Sequence, residues 1–185
     1  MRILSLLTGA IALVAIAASA GAQQRIRLTL DATVGAGFGK GGEYRSRSIG
    51  GARVAVSTRF QSATGWNPFG ELSLDGLSLG LIRGVGCQLN ARGACVKPYP
   101  ELIGATAVLG VATTLASRVD LRFGVGAGAY TADGTHAGAA IAQTDITAYA
   151  FDTVGLVAGV RWVVVPQYRG DRLTILPWMI GLRVR

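Results

Sequence analysis

Apolar residues fall on every second position along much of the chain after residue 25. In RIRLTLDATVGAGFG, isoleucine, leucine, alanine, valine and phenylalanine alternate with arginine, threonine, aspartate and glycine. The same alternation recurs in GARVAVSTRF, VDLRFGVGAGAY, VGLVAGVRWVV and WMIGLRVR. Successive side chains of a β-strand point to opposite faces, so these segments are predicted to be strands with one apolar and one polar face.

The complete pattern predicts eight strands, at residues 25–38, 50–60, 69–82, 102–115, 118–130, 140–151, 153–165 and 173–185. Their connections alternate between short joins and longer polar or glycine-rich segments, the longer ones at 40–48, 83–100, 131–138 and 166–172. Short turns at one end, longer loops at the other and an even strand count are typical of a membrane β-barrel. We therefore predict an all-β, eight-stranded antiparallel up-and-down transmembrane β-barrel, although merging the sixth and seventh strands would leave seven.

Two of these strands are ambiguous. In the third, Leu72 and Leu74 share one parity while Leu77 has the other, and the phase changes at Asp75-Gly76. A glycine at such a position favours a β-bulge over the alternative of a tight hairpin. The strand at 102–115 is apolar on both faces, so its pattern does not indicate which face is buried.

The first 22 residues, MRILSLLTGAIALVAIAASAGA, combine an early arginine, a long apolar run and small residues at the end. This order is that of a secretory signal peptide, for which we predict cleavage after Ala22. The alternative is a retained amino-terminal helix. The predicted organisation is a signal peptide at 1–22 followed by one barrel domain at 23–185.

The amino-acid composition indicates whether the apolar face of the sheet lies against lipid or inside a soluble protein. Half of the residues are apolar, 27 are glycine and only 15% are charged, whereas soluble domains carry about 25% charged residues. After residue 22 no run approaches the ~18 consecutive uncharged apolar residues that a membrane-spanning helix needs. The balance favours lipid outside the barrel over a soluble ligand-binding barrel, which remains the alternative.

If lipid lies outside, the ionisable side chains on the polar face point into the lumen. A buried charge needs a partner, so we predict a lumen charge network, with a position in water at a strand end as the alternative for any single member. Arg27 lies on the same face. Aromatic residues near strand ends are expected at the membrane interfaces, namely Trp66, Phe69, Tyr99, Trp162, Tyr168 and Trp178. The predicted network comprises Asp31, Arg53, Arg59, Glu71, Asp75, Asp120, Arg122, Arg161 and Arg183.

Taken together, the signal peptide, the eight alternating strands and a closing strand Trp178-x-Ile180-Gly181-Leu182-x-Val184 resemble the small OmpA/OmpX-like outer-membrane β-barrel proteins. The resemblance covers essentially all of the chain after the signal peptide. It implies a location in the outer membrane of a Gram-negative bacterium. It also implies folding by a barrel-assembly machinery that reads the last strand.

The two cysteines, Cys87 and Cys95, flank a turn-prone segment in CQLNARGAC. An exported protein meets an oxidising compartment, so a disulfide is predicted, with free thiols as the alternative. The chain has one histidine, His136, which leaves too few ligands for a metal site. No cofactor and no metal are therefore expected.

The sequence offers little for catalysis. His136 lies in a predicted loop without evident triad partners, and the glycine-rich segment at 124–130 is not followed by a helix, as a nucleotide loop would be. Dispersed arginines and export argue against nucleic acid. Outer-membrane lipid and lipopolysaccharide are the expected partners, with lipopolysaccharide facing four cations of the predicted rim loops. These cations are Arg45, Arg47, Arg92 and Lys97.

An eight-stranded barrel has an interior that side chains nearly fill, so no general diffusion pore is expected. The predicted function is a non-enzymatic, monomeric outer-membrane barrel with a structural or surface-interaction role. A narrow channel for small solutes is the alternative, and a lipid-modifying outer-membrane enzyme comes third.

Overall fold

The computed structural model describes residues 26–41, 44–79, 88–89, 95–96, 101–132, 135–168 and 171–185. Within them, eight long strands and two short ones form. In chain order they are β1 (Ile26–Gly41), β2 (Tyr44–Phe60), β3 (Trp66–Leu79), β4 (Gln88–Leu89), β5 (Cys95–Val96), β6 (Glu101–Ala116), β7 (Val119–Ala132), β8 (Thr135–Tyr149), β9 (Val154–Tyr168) and β10 (Asp171–Val184). Within this part of the chain, no helix is long and apolar enough to span a lipid bilayer.

The eight long strands close into one antiparallel barrel in the order β1-β10-β9-β8-β7-β6-β3-β2. Apart from the closing pair, each strand is hydrogen-bonded to the long strands before and after it in the chain. The closing pair joins β10 to β1, with Arg183 opposite Asp31 and Trp178 opposite Ala36. Closure leaves no unpaired edge among the eight long strands. The predicted eight-stranded up-and-down barrel is confirmed.

The two ends of the barrel differ. At one, which we call the turn end, β1 begins, β10 ends, and the joins are residues 61–65, 117–118 and 150–153. At the other, the ribbon end, residues 80–100 connect β3 to β6 and include the paired strands β4 and β5.

The predicted long loops at 40–48, 131–138 and 166–172 are wrong. At these places only two residues separate one strand from the next, because the strands continue well past their predicted ends. Main-chain hydrogen bonding does not require apolar side chains, so strand pairing continues beyond the alternating pattern that marks it in the sequence.

The outward face is apolar over most of its height. Leu28, Phe38, Leu74 and Leu109 are each more than 60% exposed. Among the outward-facing side chains of the described strands, charges occur only at the ribbon end, on Lys40 and Arg172, whereas Arg118 and Asp152 are exposed in the joins of the turn end. The barrel therefore presents a nearly uncharged surface between its two rims.

Aromatic residues follow the predicted interfacial positions only in part. Trp66 is exposed at the turn end, whereas Phe69 points inward and is 3% exposed. Trp162 and Trp178 are exposed but lie in the middle of β9 and β10 and not at strand ends. Tyr99 lies outside the described residues and Tyr168 ends β9.

The predicted β-bulge at Asp75-Gly76 is wrong, and no hairpin forms there. Asp75 lies opposite Arg53 and Gly76 opposite Ala52 in an unbroken register between β2 and β3. Leu77 is buried inside the barrel because the interior changes there from polar to apolar. Where the inward residues of a regular strand change from polar to apolar, the apolar positions in the sequence shift by one residue although the strand itself is unbroken.

Toward the ribbon end, branched apolar side chains point into the interior and pack into one cluster. We call this the aliphatic layer. Its members, each at most 4% exposed, are Ile49, Leu77, Leu102, Ile141, Val163, Val165, Leu173 and Ile175. The sequence pattern did not indicate which face of β6 is buried, and the structure settles this. Leu102, Thr106 and Val108 point inward, and Ile103 and Leu109 point outward.

Gly181 of β10 lies opposite Thr33 at the closing seam, where the strands approach closely. A Cβ at Gly181 would lie 2.0 Å from the carbonyl oxygen of Ala32, so an alanine must push the closing strands apart. We predict that Gly181→Ala lowers the free energy of unfolding by about 1–3 kcal/mol. Gly138→Ala is the matched control, since a Cβ at Gly138 meets no atom within 4 Å. Urea unfolding in detergent, followed by tryptophan fluorescence, measures both, and equal stability of the two variants would contradict the prediction.

Candidate functional site

Between the aliphatic layer and the turn end, the described residues place five carboxylates and five guanidinium groups in the interior, whose formal charges cancel. Nine of the ten residues are at most 7% exposed, and Arg59 is half-buried. We call this set the interior charge network. Its members are Asp31, Arg53, Arg59, Glu71, Asp75, Asp120, Arg122, Asp145, Arg161 and Arg183.

Arg183 connects three strands of the barrel. Its Nε and Nη2 donate to the two carboxylate oxygens of Asp31 at 2.7 Å each, across the closing seam. Its Nη1 donates to Asp145 at 2.9 Å and to Thr147 at 2.5 Å, both on β8. A bidentate guanidinium–carboxylate pair is among the stronger hydrogen-bonded contacts in proteins. Arg183 is 1% exposed, and this contact set satisfies a charge that has no access to water.

Glu71 forms the centre of the network. Its Oε1 accepts hydrogen bonds from Arg53 and, at 3.0 Å, from Gln143, while its Oε2 accepts one from Arg122. Arg122 also donates to Ser57 at 3.1 Å. One carboxylate on β3 thus ties β2, β7 and β8 together through the lumen.

Asp75 is the centre of a third set of contacts in the network, after those of Arg183 and Glu71, and this set lies nearer to the aliphatic layer. Its Oδ1 accepts from Arg161 at 2.9 Å, and its Oδ2 accepts from the Tyr130 hydroxyl at 2.7 Å. Arg161 also donates to Ser73 at 3.2 Å and to Thr106 at 2.5 Å. Tyr130 is a member of the apolar cluster as well, so its ring and hydroxyl join the two layers of the interior.

Near the turn end, Asp120 accepts hydrogen bonds from Arg59 at 2.7 Å and from the Thr114 hydroxyl at 2.8 Å. Arg185 lies beside them, with an Nη1–Oδ2 distance of 4.0 Å to Asp120. Its guanidinium stacks on the Tyr149 ring, 3.8 Å from the ring centroid, and its Nε donates to the carbonyl oxygen of Asp152 at 2.6 Å. Arg185 therefore closes the turn end by cation–π contact and charge attraction.

The structure places all nine residues of the sequence-based network inside the barrel. Sequence reasoning did not include Asp145, although its position on the polar parity of β8 was visible. Small alanines on both faces made the alternation of that strand weak. Arg27, assigned to the same inward face, is exposed at the turn end, beyond the network.

The other predicted sites lie apart from this interior. Arg45 and Arg47 belong to β2 and not to a loop, because the strand starts earlier than predicted. Arg92 and Lys97 lie outside the described residues, as do Cys87 and Ala22, so the predicted disulfide and cleavage site fall there too. His136 is exposed, with its Nδ1 2.8 Å from the hydroxyl of Thr131.

Removing the Arg183 guanidinium should show how much the interior charge network contributes to the free energy of unfolding. We predict that Arg183→Met lowers the free energy of unfolding by about 3–5 kcal/mol, because it leaves Asp31 and Asp145 buried without their guanidinium. Urea unfolding in detergent measures the loss. Adding Asp31→Asn to Arg183→Met should recover part of it, since one uncompensated charge is removed. The exposed cation variant Arg27→Gln is the control and should change stability by less than about 0.5 kcal/mol. A loss of similar size in Arg183→Met and Arg27→Gln would contradict the prediction.

No family model and no curated protein sequence matches the chain. Among solved structures, Neisserial surface protein A (NspA) is similar with a TM-score of 0.59 at 13% identity, over 86% of this chain and 97% of that one. Ail of Yersinia pestis reaches a TM-score of 0.47 at 9% identity, over 85% of this chain and 99% of Ail. OprG from Pseudomonas aeruginosa reaches 0.44 at 9% identity, over 85% and 94%. The comparison with NspA shows the fold alone: the chain shares the barrel fold of that protein over most of both chains.

Proposed function

We propose that the protein is an integral β-barrel of a bacterial outer membrane, with a structural or surface-interaction role and no enzymatic activity. The observation that carries this proposal is the inverted distribution of polarity. In the part of the chain that the structure describes, 25 large apolar side chains are exposed on the outside, whereas a set of paired charges is buried within. A soluble monomer rarely exposes a contiguous apolar patch larger than a few hundred Å². A hydrocarbon solvent accounts for both the apolar outside and the enclosed charges.

The height of the apolar surface fits a bilayer. On β10 the outward side chains are apolar from Leu176 to Val184, a stretch of nine residues. A tilted strand needs about 9–11 residues to cross the hydrocarbon core. Above this stretch, toward the ribbon end, Thr174 and Arg172 face outward, which is where the polar interface of a membrane would begin.

The interior supports a closed barrel over a channel. The aliphatic layer fills the ribbon-end half, and the interior charge network occupies the half below it. Between Arg53, Gln143, Arg161 and Thr33 lies a void of about 20 Å³, enough for roughly one water molecule and too small for a solute. Within the described part of the lumen the charges of the network pair with one another, which favours a structural role for them over a catalytic one.

The surface role is assigned to the ribbon end. In membrane barrels the longer connections face the cell exterior, and the long connection here, residues 80–100, is at that end. We propose that Arg45, Arg47, Arg92 and Lys97 face lipopolysaccharide there. Insertion would use the barrel-assembly machinery, after removal of a signal peptide at residues 1–22.

The membrane assignment predicts that the folded protein fractionates with the outer membrane and migrates differently on a denaturing gel before and after boiling. In liposomes, wild-type protein should give no swelling with small sugars and no stable conductance in planar bilayers, because the lumen is closed. Recovery in the aqueous fraction without detergent would contradict the location. Large, stable openings would instead favour the narrow-channel alternative.

The signal-peptide assignment predicts that the membrane-embedded protein begins at Gln23. Intact mass and amino-terminal sequencing of the purified barrel measure this directly. Replacing Ala20 and Ala22 together by leucine should block cleavage, because signal peptidase accepts small residues at these positions. A membrane-embedded protein that retains residues 1–22 would contradict the assignment.

A further inference from the structure

A groove of about 450 Å³ runs along the outside of the barrel at the closing seam between β1 and β10. We call it the seam groove. Its lining is nearly all apolar and consists of Gly35, Ala36, Gly37, Phe38, Trp178, Met179 and Ile180.

The groove exists because small residues meet large ones at this seam. Ala36 is the outward residue of β1 between two glycines, so the surface is low there. Phe38 and Trp178, which are 62% and 60% exposed, form its walls. Trp178 lies opposite Ala36 on the neighbouring strand, so the bulky indole lies beside a small outward side chain.

Two cations lie beyond the ribbon end of the seam groove, outside its lining. Lys40 follows Phe38 by two positions on the outward face of β1, and its partner across the seam is Thr174. Arg172 lies two positions beyond Thr174 on the same face of β10. Both side chains are exposed, and they are the charged side chains that the structure describes on the outward face.

An apolar slot that ends beneath a pair of cations matches an amphipathic anion. An acyl chain in the groove would contact Phe38 and Trp178 in place of the acyl chains of the surrounding bilayer lipids. A phosphate at its head would lie at the level of Lys40 and Arg172, where cations near a membrane surface attract anionic headgroups. Arginine suits phosphate particularly well, since its planar donors can bind two oxygens together. A neutral lipid would use the slot but not the cations.

We propose that the seam groove binds one acyl chain of the lipid A portion of lipopolysaccharide, with a lipid A phosphate held by Lys40 and Arg172. This inference rests on the proposed outer-membrane location. The ribbon end would face the cell exterior, and the outward-facing leaflet of that membrane is the one that holds lipopolysaccharide. The bound lipid would cover the seam at which β10 closes on β1.

The test uses the full mature barrel in detergent, with bound lipid counted by native mass spectrometry. The probes are bis-phosphorylated lipid A, the same lipid A without phosphates, and phosphatidylglycerol. Wild type should retain bis-phosphorylated lipid A in preference to both others. Ala36→Leu, which fills the groove from its outward position, should weaken retention of both forms of lipid A. Lys40→Gln combined with Arg172→Gln should weaken retention of the phosphorylated form alone, by at least about ten-fold.

Two matched controls separate the site from general effects. Ala127→Leu adds the same bulk to the outward face of β7, away from the seam, and Arg27→Gln removes a cation at the turn end. Both should retain lipid A as wild type does. Equal retention by all variants, or a preference for phosphatidylglycerol, would overturn the inference. If the heat-dependent gel shift and bilayer insertion persist in that case, only the lipid site is wrong, whereas their loss in the wild type would overturn the proposed function.

Discussion

The charged residues inside the barrel must find partners there, and the rest of the structure depends on this constraint. The Arg183–Asp31 pair shows it most directly, since it spans the seam where the last strand meets the first and both residues are 1% exposed. Moving such charges out of water is costly, so they are tolerated only with close partners and further hydrogen bonds. The closing register that sets Arg183 opposite Asp31 supplies both. Barrel closure and charge pairing therefore depend on each other.

The same constraint explains why the interior is divided into two layers. Five positive and five negative side chains lie together below the aliphatic layer, and Tyr130 joins the two layers through its hydrogen bond to Asp75. A charge placed among Leu102, Val165 and Ile175 would have no partner. A leucine placed at Glu71 would leave Arg53 and Arg122 without their shared carboxylate. Charges inside and apolar residues outside then make lipid the suitable surrounding for the barrel.

Much of this could be predicted from the sequence because a strand alternates its faces with a fixed period of two. That period placed Asp31, Arg53 and Arg183 on one face and counted the strands correctly. It failed where both faces carry similar residues: Asp145 was missed among alanines, and Leu77 was read as a break in the strand. It also misplaced the strand ends near Lys40 and His136, since main-chain pairing continues where the side chains stop alternating.

By itself, the sequence determined the fold class, the number of long strands and the face on which most of the charges lie, because all three follow from local alternation along the chain. Only the tertiary structure decided which charge meets which. Arg183 and Asp31 are 152 residues apart in the chain, and their contact depends on the register in which β10 pairs with β1. The seam groove likewise exists only after closure, when Ala36 comes to lie beside Trp178. Partner choice across a barrel depends on strand order and stagger, and neither is recorded in the pattern of any single strand.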